Sequence, residues 1–424
     1  TPSTTRQGEA LNLATSRQPS GHLGVINGID AISQAPIMLD PFTAYLDKVT
    51  NINVVLIGDI GKGKSSVMKT VGSWRQLPLD RQVVIFDKKL QEGLGEYSHM
   101  ANVLGANSLR FRAGHRTGGA RINLLDPAIA LRLDERDTDE RPAGQLALVK
   151  AVLVDTMMQR GLSETDHAAI ARSLELVSTE ARDAGYDPTI AHLWRRLLDP
   201  QPGDGDPFGA YAPAYRRWGR DCGLALKRLA EDELSGLVDG PTSADVRAAL
   251  EHPFVHTDIS ALPEDGHALR IVMTVMNTWL ANLLADRSRA HRQTVLGIEE
   301  GWHIADGSTG KLVRANMKLS RGTGLSTWTA FHHLADFPPD SPARALMRES
   351  SIVYLFGQDR QVDAEECAHM WDLPAGSVET LMSLGRGEAL LKVGSEDPIL
   401  LRHIRSDIEA TLTNTDTAIL GHRT

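Results

Sequence analysis

Cysteine is nearly absent from this chain: its 424 residues include two, Cys222 and Cys367, far apart in sequence. Two distant thiols build neither a disulfide framework nor a metal-ligand cluster, and they suit a reducing cytosol. Long hydrophobic runs are missing as well. The nearest approach, Ile271 to Ala285, is interrupted by Thr274, Asn277, Thr278 and Asn282. It falls short of the roughly 18 apolar residues of a membrane span and reads as a buried helix. The N-terminus shows no basic segment leading into an apolar core, so no secretory signal is read there. A first residue of Thr rather than Met marks a processed or partial piece. Basic charge is not in excess: the net charge of −9 excludes a surface that is basic throughout, though not a local basic patch or pore. A hydrophobic content of 42% and a charged content of 23% are ordinary for a folded domain. The length suits one large α/β domain with an insertion, or two domains.

What the chain does have is Gly58-Asp59-Ile60-Gly61-Lys62-Gly63-Lys64-Ser65. The apolar, β-branched run Asn53–Ile57 before it reads as a buried strand, and the stretch from Ser66 to Val71 after it continues as a helix. Strand, G-x-x-x-x-G-K-S turn and helix are the context of a P-loop. Its glycines permit positive φ and close backbone approach, so that successive N–H groups ring a polyphosphate at a helix N-terminus. Lys64 would reach the β- and γ-phosphates, and the Ser65 hydroxyl would hold Mg²⁺. A glycine-rich turn that binds nothing is the plainer alternative, and the filled positions and correct flanks weigh against it. The nucleotide-binding set is therefore Gly58, Asp59, Ile60, Gly61, Lys62, Gly63, Lys64, Ser65 and Ser66.

Around this motif the pattern is α/β. Residues 1–30, rich in Thr, Ser, Gln and Gly, read as a flexible arm or linker. The first part of the core is 31–127: Pro36–Pro41 is a short strand and turn, and Phe42–Lys48 a short helix. Gln82–Asp87 is a strand ending in a carboxylate, which either faces the nucleotide crevice or terminates the strand as a turn Asp. A helix from Glu96 to Leu104 and a strand at Ser108–Arg112 follow. Residues 128–252 lack strand candidates and carry Leu and Ala at helical spacing through Gln145–Met158, Glu164–Ala184, Ile190–Leu198 and Tyr215–Asp232, an all-α insertion. Arg216, Arg217, Arg220, Lys227 and Arg228, interleaved with Tyr211, Tyr215 and Trp218, read as a solvated face in preference to a DNA contact.

The core resumes over 253–424, with a strand at Phe254–Ser260 and a helix from Ala268 to Asp286. Thr294–Trp302 is an apolar strand ending in Glu299 and Glu300, the form expected of a second nucleotide motif. One acid would stand in the Mg²⁺ shell and the other would orient the attacking water. Arg314, Lys318 and Arg321 follow on a helix. Leu325–His333 is a strand ending in two histidines, which point to opposite faces and so do not form a ligand pair. His332 is the one assigned to face the γ-phosphate. Ile352–Phe356 is a further buried strand, and Ala389–Val393 pairs with Ile399–Leu401 as a hairpin.

The P-loop, the Glu-Glu-Gly-Trp strand end, the Phe-Asp-Lys…Glu-Tyr segment and the Arg-Ile-Asn-Leu-Leu-Asp turn together resemble the ATPase domain of VirB-type conjugation ATPases. These include the TraC and TrbE proteins of type IV secretion, within the FtsK–HerA superfamily of RecA-like motors. The resemblance runs over roughly residues 24–416. It implies an α/β, RecA-like P-loop NTPase core with a mainly parallel sheet and an all-α insertion domain, using ATP and Mg²⁺. It implies Lys64 and Ser65 at phosphate and metal, Glu299 in the metal shell and Glu300 on the attacking water. Arg314 or Arg321 would complete a neighbouring subunit's site. Glu299 stands where the family has Asp, and His332 where it tends to have Gln; both bear on turnover.

The implied function is an ATPase powering assembly of, or substrate transfer through, a type IV secretion system. It would be cytoplasmic and peripheral at the inner face of the cell membrane, reaching that membrane only through partner proteins, and active as a hexamer. The alternatives are an FtsK/HerA-like DNA translocase, with DNA as a direct partner, and a weakly hydrolysing, ATP-gated scaffold. Longer family members carry an N-terminal docking domain, and this sequence begins just before the ATPase domain.

Overall fold

The computed structural model describes residues 23–45, 47–112, 119–130, 143–157, 160–263, 267–285, 292–299, 322–334, 337 and 341–414. The strands in chain order are β1 (Ile26–Asp30), β2 (Pro36–Met38), β3 (Val54–Ile57), β4 (Gln82–Asp87), β5 (Leu90–Gln91), β6 (Leu94–Gly95) and β7 (Leu109–Arg110). They continue with β8 (Phe254–Asp258), β9 (Thr294–Ile298), β10 (Leu325–Phe331), β11 (Ile352–Phe356), β12 (Glu388–Val393) and β13 (Ile399–His403). The described residues form two compact units, one from those within 23–83, 293–299 and 322–414, the other from those within 84–292.

In the first unit the strand order is β2-β1-β13-β12-β11-β3-β10-β9. The pairs β11–β3, β3–β10 and β10–β9 are parallel, and the pairs from β11 outward through β12, β13, β1 and β2 are antiparallel. Composition follows this division. Every residue of β3, β9, β10 and β11 is buried, as parallel strands covered on both faces require, whereas β1, β2 and β13 each include exposed residues. Within this core Trp328 is fully buried; its indole N–H donates to Ser326 Oγ at 3.1 Å and its ring lies 6.0 Å from that of Tyr354. Tyr354 hydroxyl donates to Asn27 Oδ1, which ties β11 to β1. β1 itself falls inside the stretch whose composition reads as an arm. Its antiparallel ladders to β13 and β2 supply an order that its own sequence does not signal.

A buried ion pair locks the entry to β4. Arg81 donates to both oxygens of Asp40, at 2.6 and 2.7 Å, and its guanidinium lies 4.5 Å from the Phe42 ring centroid. The predicted helix at Phe42–Lys48 is shorter than expected, Pro41–Ala44, capped by the Asp40 side chain.

In the second unit β4, β8 and β7 lie side by side, with β7–β8 parallel, and between β7 and β8 the described chain is helical. Glu164–Ala184 starts on a Ser163 capping box and stops at Gly185 in the left-handed region. The helix expected over Tyr215–Asp232 is broken: Gly219, at φ 63°, separates Ala212–Tyr215 from Arg220–Arg228, and a π-turn at Leu229–Glu233 ends it. His267–Ala285 is long and apolar enough to cross a membrane, yet it is mostly buried, packed as a core helix.

Candidate functional site

β3 stands between β10 and β11 and pairs Ile57 with Phe331 on one side and with Leu355 on the other. β9 keeps the same phase, Ile298 beside Thr329. The four strands therefore deliver Gly58, Glu299, His332 and Gly357 to one carboxyl edge, where open α/β sheets bind ligands.

From Gly58 the chain turns back into the Lys64–Thr70 helix through Gly61 and Gly63, at φ 78° and 116°. Gly58 has φ 150°, and a Cβ there would stand 2.6 Å from Phe356 Cβ, so glycine is required by space as well as by backbone angle. The loop is braced from two sides. Asp59 N–H donates to Gly357 O at 3.1 Å, and Gly387 N–H donates to Lys62 O at 2.8 Å. At the helix start the first N–H groups face out of the helix by geometry, and the dipole adds positive potential there. Ile60 at the loop tip is 80% exposed. Ser66 lies in the first turn, its carbonyl accepting the Thr70 hydroxyl at 2.8 Å.

Lys64 is buried at the centre of this edge. Its Nζ donates to Gly58 O, to Asp59 O at 2.9 Å and lies 3.1 Å from His332 Nδ1. A lysine ammonium can only donate, so His332 meets it with Nδ1 as acceptor and carries its own proton on Nε2. Ser65 Oγ donates to Glu299 Oε2 at 3.3 Å, and Glu299 is 2% exposed. A hydroxyl and a carboxylate side by side are the oxygen donors a small hard cation takes when phosphates and water complete its shell. Among the described residues no three His, Cys, Asp or Glu gather as a site of their own. The structure thus brings together Lys64, Ser65, Glu299 and His332. Glu300, Arg314 and Arg321 lie outside the described residues.

A second layer behind the loop was not foreseen from the sequence. His333 Nδ1 is 3.0 Å from Asp59 Oδ1 and 3.3 Å from Asp363 Oδ2. Asp359 N–H donates to Asp59 Oδ2, and Asp359 Oδ1 pairs with Lys62 Nζ at 2.7 Å. The Lys62 ammonium holds the Asp359 carboxyl below the usual range. Asp59 and Asp359 are 300 residues apart in the chain, and no local pattern marks these partners.

The ambiguity at Asp87 resolves to structure. Its Oδ2 accepts Tyr97 N–H at 2.8 Å and lies 3.0 Å from His256 Nε2, while Oδ1 accepts Lys89 N–H at 3.2 Å. In the insertion, Arg216, Lys227 and Arg228 each face an acid, Asp199, Glu231 and Glu233. Tyr215 stacks on Phe208, and Trp218 packs against both at a tilt. The basic face is solvated and its aromatics mostly pack inward, apart from the exposed Tyr211.

Together these features define a RecA-like P-loop NTPase fold, with helices between β7 and β8 among the described residues. No protein-family model matches the chain, and no curated protein matches it either. Among solved structures it is similar to VirB4 of Thermoanaerobacter pseudethanolicus, at 21% identity and a TM-score of 0.69, over 93% of this chain and 100% of that one. It is also similar to the bacterial conjugative coupling protein TrwB, solved as TrwBdeltaN70, at 14% identity and a TM-score of 0.54, over 94% of this chain and 93% of that one. TrwB has been solved with ADP and Mg²⁺ and with a non-hydrolysable ATP analogue.

Proposed function

We propose that this protein is a Mg²⁺-dependent ATPase of a type IV secretion or conjugation system, working in the cytoplasm at the inner face of the membrane through its partners. One observation carries the reading. A complete P-loop stands at the carboxyl edge of the central parallel strand, with Ser65 and the buried Glu299 3.3 Å apart, in a fold that spans the whole of the VirB4 chain. Loop amides and the helix N-terminus would bind the phosphates. Lys64 would lie against the β- and γ-phosphates, with His332 fixing its approach. Ser65 and Glu299 would hold Mg²⁺, which neutralises charge on the phosphate oxygens. Glu300 would orient the attacking water and take its proton. Arg314 or Arg321 from a neighbouring copy would face the transferring phosphoryl group, and this role argues for a ring, a hexamer in the active form.

A second reading is an ATP-gated scaffold with little turnover. It is favoured by the Glu at 299 and by His332 in place of a side-chain amide, seated directly on Lys64. A DNA translocase of the same architecture differs in its stimulation, since DNA would raise its hydrolysis in a salt-sensitive way. The genetic test is conjugative transfer in a strain whose own copy is replaced by Lys64→Ala. Transfer lost, with the protein still present at normal level, supports the assignment; wild-type transfer contradicts it.

A further inference from the structure

A carboxylate inside a phosphate-binding loop is an electrostatic liability. Asp59 is the second residue of the P-loop, 5% exposed, and its carbonyl already holds Lys64. Its Oδ1 has no hydrogen-bond donor among the described residues, and neither has Oδ1 of Asp363, which is fully buried. A buried carboxylate oxygen without a donor needs a compensating polar group close by. One group stands between them. His333 Nδ1, itself shielded from solvent, lies 3.0 Å from Asp59 and 3.3 Å from Asp363.

The charged groups around this imidazole are few. The P-loop contributes Asp59, Lys62 and Lys64. The segment after β11 contributes Asp359, and the Gln361–Met370 helix contributes Asp363 and Arg360. Lys62 faces Asp359 at 2.7 Å and Arg360 faces Asp363 at 2.6 Å. Lys64 points to the loop carbonyls and to His332, whose ring centroid is 6.4 Å from that of His333. Burial first, then Asp363, pushes the nearby Cys367 thiol up, so it stays neutral and adds no charge. Arg344 and Glu366 pair with each other at 2.7 Å. Three carboxylates are thus faced by two cations, and Asp59 is the one left to the imidazole.

We propose that His333 is a positioning residue for the P-loop, its imidazole set against Asp59 and Asp363 so that the loop acid is held in place and the loop can receive a polyphosphate. The inference rests on the nucleotide-binding reading above and goes beyond it, because it assigns the second histidine of the pair and the acid of the loop. The juxtaposition also explains why a loop acid is tolerated at all.

The experiment is a double-substitution cycle read by calorimetric titration of Mg·ADP at one fixed pH. His333→Gln should weaken binding about tenfold, the effect of one unshielded carboxylate beside the phosphates. Asp59→Asn keeps an acceptor for the Asp359 amide. Asp59→Asn combined with His333→Gln should recover the affinity lost in His333→Gln. Equal weakness of the double and the single histidine variants would overturn the proposal, as would wild-type affinity in His333→Gln. Absence of binding by wild type would instead remove the nucleotide reading, and this inference with it.

Discussion

His403 allows a quantitative prediction. It closes β13 beside the end of the P-loop helix, with Nδ1 donating to Asn27 O at 2.6 Å and Nε2 3.0 Å from Thr70 Oγ1. In the neutral imidazole Nδ1 carries the proton given to Asn27 O. Burial lowers its pKa to about 4 from the ordinary 6.5; the Asn27 carbonyl opposes this, and Arg75 and Arg405 reinforce it. The folded protein therefore refuses a proton that the unfolded chain accepts. Above the unfolded value both states are neutral and the full stability is present. As pH falls below 6.5 the unfolded chain gains the proton first, and stability drops until the folded value near 4 is passed. The whole difference is about 3 kcal/mol at 1.36 kcal/mol per pKa unit, and about 2 kcal/mol of it falls between about pH 7 and pH 5. Glu409, Asp204 and Asp359 are held low and lose their contributions at the acid end of this range, starting from ordinary values of 4.5 and 3.8. Urea unfolding of wild type and His403→Gln at several pH values isolates the imidazole as the difference between the two curves. Wild type should lose about 2 kcal/mol more than the variant over that interval. Parallel curves would refute the argument that His403 is held neutral in the fold.

Two further substitutions test the packing around the site. Gly58→Ala, whose Cβ would stand 2.6 Å from Phe356 Cβ, should cost about 1–3 kcal/mol of overpacking and abolish ADP binding. Gly61→Ala meets nothing within 4 Å and should cost only the backbone strain of about 1–2 kcal/mol; unfolding midpoints that rank the two in the opposite order contradict the loop geometry. Asp40→Ala leaves Arg81 buried without its carboxylate, and chemical denaturation should show a loss of about 3–5 kcal/mol. A change under about 1 kcal/mol would mean that the pair is solvated.

The parts of this site that were legible in the sequence are those set by short-range spacing. Gly58 to Ser65 declares its turn, strand and helix within one stretch, and the apolar run into Glu299 announces the neighbouring strand. The alternation along β10 was enough to separate His332 from His333, because period two sends them to different neighbours. What His333 meets was not legible. Asp59 and Asp363 reach it from other parts of the chain, and their partnership depends on the register of β10 and β11 against β3. For the same reason Asp87 could not be assigned: a strand-end carboxylate looks alike whether it faces a ligand or, as here, Tyr97 and His256. β1 was missed because Ile26–Asp30 owes its strand to its partners, and the break at Gly219 because a glycine within a helical pattern is often tolerated.

The central claim is that the edge formed by Lys64, Ser65 and Glu299 hydrolyses ATP. Its most direct test is steady-state hydrolysis of Mg·ATP over a range of protein concentrations, wild type beside Glu300→Gln. Wild type should turn over, with a rate per subunit that rises with concentration as neighbouring copies complete the site, while Glu300→Gln binds ATP and does not turn it over. Undiminished turnover in Glu300→Gln, or no ATP bound by wild type at any concentration, would contradict it.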